Sequence, residues 1–126
     1  MKKILVLIIS IAVFISCSND DEDSSGLKIR LSNVSQFDFQ NIKVNTTSGE
    51  VSFENLKSGK KSDYKVFAAA YRYAFVELVI NGKTYTLQPI DYVGETLLEP
   101  GNYTYQINAN DSQNQYGKLT LSLIKD

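Results

Sequence analysis

Three hydrophobic regimes divide the chain. From Ile4 to Ile15 almost every residue is apolar, from Ser18 to Gly26 none is hydrophobic, and from Leu27 onward apolar and polar residues alternate. Alternation with a period of two marks strands with one buried face. Leu27, Ile29 and Leu31 alternate with Lys28, Arg30 and Ser32. Phe37 and Phe39 share one parity and Ile42 and Val44 the other, so a bulge or turn near Gln40-Asn41 is needed to keep all four inward. The longest segment, Ala70 to Ile80, places Ala74, Val76, Leu78 and Ile80 on one face. Asn81-Gly82 then gives the strongest hairpin signal in the chain, with a return strand from Lys83 to Leu87 that Pro89 ends. Tyr103, Tyr105 and Ile107 form a clear later strand, and Leu119, Leu121 and Leu123 the last.

Shorter strands are expected at Val51–Leu56, Ser62–Phe67 and Glu95–Leu98, with Gly59 the positive-φ residue of the turn at 57–61. About seven to nine short strands with turns between them predict an all-β fold, an antiparallel β-sandwich over residues 27–126. Leu27–Leu31, Val76–Ile80, Tyr103–Ile107 and Leu119–Leu123 are its expected core. No stretch after residue 26 has a helical period.

The first two regimes concern address. Lys2 and Lys3, the apolar run and the small Ser16 before Cys17 have the layout of a secretory signal peptide. The run of about a dozen residues is short for a membrane span, which needs roughly 20. Phe14-Ile15-Ser16-Cys17 resembles a bacterial lipobox, and the acids Asp20, Asp21, Glu22 and Asp23 resemble the export signal of Bacteroidota surface lipoproteins. The resemblance implies cleavage after residue 16 and lipid on Cys17. It also implies residence on the outer membrane, facing the cell exterior. The expected organisation is a leader at 1–16, a lipidated and acidic tether at 17–26 and one domain at 27–126. Like charges keep such a tether extended, and nine residues reach at most about 30 Å.

Composition narrows the chemistry. Two of the 13 basic residues leave with the leader, against 14 acidic ones, which gives no footprint for nucleic acid. The chain has no His and no Trp, and its one Cys is the lipidation candidate. That excludes a Ser-His-Asp relay, a thiol nucleophile, an internal disulfide and His or Cys ligands for zinc. No glycine-rich phosphate loop is present, and no cofactor or metal is expected.

Leu98-Glu99-Pro100-Gly101-Asn102-Tyr103-Thr104-Tyr105 resembles the L-x-P-G-x-Y turn before a late strand of immunoglobulin-like and transthyretin-like sandwiches. There the turn delivers a tyrosine into the core. With the lipobox and acid run, the chain is similar to small Bacteroidota cell-envelope lipoproteins. The resemblance carries no catalytic residues.

Two constellations are candidates for function. Tyr71, Tyr73 and Phe75 fall opposite Ala74, Val76 and Leu78, so both faces of that strand look apolar. Either a loop or the Ile90–Leu98 connection covers the second face, or the rings form a ligand patch for a glycan or a protein. Asp91, Glu95 and Glu99 place three carboxylates in one loop, which suits polar caps, a glycosidase-like acid/base pair or oxygen ligands for Ca²⁺. The expectation is a membrane-anchored binding or envelope-structural protein and not an enzyme. The alternative is a carboxylate hydrolase.

Overall fold

The computed structural model describes residues 26–89 and 94–126. The expected leader at 1–16, Cys17, the acids Asp20 to Asp23 and Asp91 lie outside the described residues. Eight strands run in the order β1 (Leu27–Asn33), β2 (Gln40–Asn45), β3 (Glu50–Phe53), β4 (Lys65–Val66), β5 (Phe75–Ile80), β6 (Lys83–Leu87), β7 (Gly101–Ala109) and β8 (Leu119–Lys125). They form two four-stranded sheets, β4-β1-β7-β8 and β3-β2-β5-β6, packed as a β-sandwich. No helix occurs among the described residues, and so none is long and apolar enough to cross a membrane.

One pairing departs from an antiparallel sandwich. β1 lies parallel to β7, with Ile29 beside Tyr103 and Leu31 beside Tyr105. Alternation records which face a residue takes and is blind to strand direction, so the parallel pair leaves no trace in the pattern.

The expected inward residues fill the space between the sheets. Leu27, Ile29, Leu31, Val76, Leu78, Ile80, Tyr103, Tyr105 and Ile107 are all buried. The parity change after Phe39 is resolved by a bulge, with three of the four expected residues buried and Phe37 half-buried against the core. Asn41 takes a positive φ of 51°, the β2–β5 register shifts between Gln40 and Lys43, and Phe39, Ile42 and Val44 are all buried. Asn81 and Gly82 both have positive φ in a two-residue loop closed by the pair Ile80–Lys83. That is the primed turn whose twist matches the flanking strands. Buried Asn33 ends β1 with every polar atom used: its amide donates to Phe37 O (2.7 Å) and Leu56 O (3.0 Å), while Oδ1 accepts from Ser35 N and Oγ.

Three segments differ from the expectation. The Ala70–Ile80 strand begins only at Phe75. Ala70 O accepts from Leu98 N (2.9 Å) and Tyr71 O from Tyr105 Oη (2.6 Å), so these carbonyls serve the opposite side of the sandwich and not a ladder. The Ser62–Phe67 strand shrinks to Lys65–Val66. Residues 95–98 form no strand: the Leu98 bond to Ala70 is the backbone anchor of that stretch. Leu119 is buried, whereas Leu121 and Leu123 are half-buried because β8 has a neighbour on one flank alone.

Candidate functional site

β8 is the longest edge strand of the sandwich. Its ladder with β7 is bracketed by Asp126 N to Asn102 O (2.9 Å) and Asn110 N to Lys118 O (3.0 Å). The even-numbered residues of β8 therefore make the bonds to β7, and the residues between them turn N–H and C=O the other way. Leu119, Leu121, Leu123 and Lys125 present their backbone to an edge where no strand lies among the described residues. Proteins usually blunt such edges with charge, proline or brevity. The other edge strands are shorter, and β6 has Thr86 N bonded to Gln115 O (2.8 Å). β8 carries six uncharged residues in a row, Leu119 to Ile124.

A groove of about 520 Å³ opens beside the C-terminal half of this edge. Leu97, Leu98, Tyr103 and Leu123 give it an apolar lining, with Leu97 51% exposed. Arg72, Glu95, Glu99 and Lys125 supply charges. Arg72 Nε lies 3.7 Å from Glu95 Oε1. Tyr103 Oη donates to Glu99 O at 2.8 Å, holding the turn that leads into β7, and Tyr103 itself is buried. The Pro100-Gly101 turn thus delivers a tyrosine inward, as its resemblance implied. Glu99 is exposed and makes no ion pair among the described residues.

The carboxylate candidates divide. Glu95 and Glu99 line this one groove, while Asp91 lies outside the described residues. Among the described residues no three carboxylates cluster closely enough to hold a metal ion. The aromatic candidates divide as well. Phe75 opens β5, but Tyr71 and Tyr73 precede it outside any strand, so the three rings do not share one strand face, and all three are half-buried. The Arg72 guanidinium stands 5.9 Å from the Tyr73 ring centroid.

A second feature left no mark in the sequence. Lys118 is 2% exposed, and its ammonium sits 4.4 Å from the Phe37 ring centroid and 5.0 Å from that of Tyr85. Its Nζ donates to Asn110 O (2.6 Å) and Ser112 O (3.0 Å). In the alternation of the last strand, Lys118 has the outward parity of Thr120 and Ser122. In the structure the Phe37 and Tyr85 rings and the carbonyls of Asn110 and Ser112 enclose it.

No protein-family model matches the sequence, and no curated protein matches it. Among solved structures, the chain is similar to the NMR structure of a protein from Eubacterium rectale. The two are 17% identical, with a TM-score of 0.51, over 82% of this chain and 91% of that chain. At that identity the likeness bears on the fold alone.

Proposed function

We propose that this chain is a lipid-anchored, surface-facing envelope protein whose sandwich binds a partner without catalysis. The anchor rests on the lipobox-like Phe14-Ile15-Ser16-Cys17 and the acids that follow. Each buried CH₂ of an acyl chain contributes about 0.8 kcal/mol, so two or more chains make residence effectively permanent. β1 begins ten residues after Cys17, which leaves the tether between anchor and domain.

The binding role rests on one observation: the unblunted β8 edge runs beside a groove with a charged rim. An extended peptide added at such an edge gains main-chain hydrogen bonds, and its alternate side chains gain specificity from the groove. Glu99 favours a basic side chain on that peptide.

The anchor and the binding role are tested separately. Cys17→Ala should leave the membrane fraction or retain its leader, and neutralising Asp20, Asp21, Glu22 and Asp23 should shield the protein from protease added to whole cells. A displayed random-peptide library, screened on the detergent-solubilised chain, should select alternating sequences with a basic residue. Lys125→Pro, which deletes an edge N–H on an exposed residue, should abolish their binding. Hits on a glycan array with no peptide hits would overturn the strand-addition reading.

The shared groove of Glu95 and Glu99 also favours a second reading, a carboxylate hydrolase. Glu95→Gln and Glu99→Gln, assayed on chromogenic glycosides, distinguish it: no turnover in the parent chain ends it.

A further inference from the structure

At the end of the sandwich near the β5–β6 turn, a half-open cavity of about 390 Å³ is lined by Phe37, Tyr85, Lys83, Lys118, Asp111 and the polar side chains of Asn81 and Gln113. Two ammonium groups meet here over the same Tyr85 ring, Lys118 at 5.0 Å and Lys83 at 5.7 Å from its centroid. Neither has a carboxylate within salt-bridge distance among the described residues. Their hydrogen bonds go to neutral carbonyls instead. Lys118 uses two donors on Asn110 O and Ser112 O, and Lys83 one on Gln113 O at 2.8 Å.

A buried charge without a counter-ion is costly, and carbonyls and aromatic faces offset that cost in part. An ammonium has three donors, so among the described residues one N–H of Lys118 and two of Lys83 are left without a hydrogen bond. Asn81 and Gln113 add side-chain amides at the same wall. Among the described residues Asp111 is the one carboxylate on the lining, and it is exposed.

We propose that this cavity is a binding site for a small oxyanion, a carboxylate or sulfate group, held between Lys83 and Lys118. The anion supplies the charge that the fold withholds from Lys118, and Asp111 at the mouth opposes it. This site is separate from the β8 groove and does not depend on it.

The test is a chemical-shift titration of the full chain in detergent micelles with sodium acetate, sodium sulfate and, as a neutral control, glucose. Saturable shifts confined to Asn81, Gln113 and residues 110–118 are expected with at least one anion and none with glucose. Acetate alone assigns a carboxylate, sulfate alone a sulfate, and both a general oxyanion site. Lys83→Gln removes a charge-assisted hydrogen bond and should weaken binding about tenfold. Asp111→Asn should tighten it, a change in the opposite direction that loss of folding cannot produce. Linear shifts spread over the surface, or an affinity that neither variant moves, would overturn the proposal.

Discussion

Tyr64 Oη donates a 2.6 Å hydrogen bond to Asp126 Oδ2, and the two residues flank the opposite edge strands of one sheet. Between them, Thr104 Oγ1 of β7 donates to the same oxygen at 2.7 Å, and Arg30 Nε of β1 donates to Thr104 Oγ1 at 3.0 Å. The Arg30 guanidinium lies 4.8 Å from the Tyr64 ring centroid. A polar row thus crosses the outer face of the sheet from the lead-in to β4 to the end of β8. It also buries Thr104, which has outward parity.

This row makes stability depend on acid. The Tyr64 hydroxyl holds the Asp126 carboxyl below the ordinary carboxylate range, helped by Thr104 and Arg30 and opposed by burial. A depressed folded value means stabilisation that is complete above the unfolded pKa of about 3.9 and lost as pH falls through the folded one. Urea midpoints measured from about pH 6 down to pH 2 should fall more steeply for the parent than for Asp126→Asn. Equal slopes would mean that the row adds nothing. At the alkaline end the same bond raises the Tyr64 pKa, so its contribution is present below about pH 10 and fades above it.

Tyr105→Phe should cost about 1 kcal/mol in chemical denaturation, the usual net value of one hydrogen bond. Tyr105 is fully buried, and its hydroxyl ties β7 to Tyr71 O. An unchanged midpoint would show that the segment 71–74 is held by other contacts.

Truncations along β8 should be graded. Leu119→Ala, at a buried site, should cost about 2–5 kcal/mol. Leu121→Ala, half-buried at an open edge, should cost less, since it creates a smaller void and leaves solvent nearby. Equal losses would mean that something covers the β8 edge in solution.

Gly82→Ala isolates the hairpin. Gly82 has φ +81° with open space around it, so the added methyl meets no neighbour and the whole cost is backbone strain. A loss of about 1–2 kcal/mol is expected, read as a lower urea midpoint at an unchanged slope.

The sequence by itself determined most of the residues that face inward, where the chain turns, and that it carries no histidine or tryptophan. Those properties are local: a side chain's face follows from a period of two, a primed turn from Asn81-Gly82, and the shift after Phe39 from a change of parity. Pairing partners lie far apart in the chain, and only the tertiary structure decided them. β1 pairs with β7 in parallel, although β1–β4 and β7–β8 in the same sheet are antiparallel, and no local pattern encodes that difference. Tyr71 leaves the strand because its carbonyl is taken by Tyr105, 34 residues away. Glu95 finds Arg72 across the groove, and Lys118 is enclosed by two aromatic rings and the carbonyls of Asn110 and Ser112. In each case the deciding contact joins groups whose alternation looked complete without it, so the candidate sites appear only once the sheets are packed.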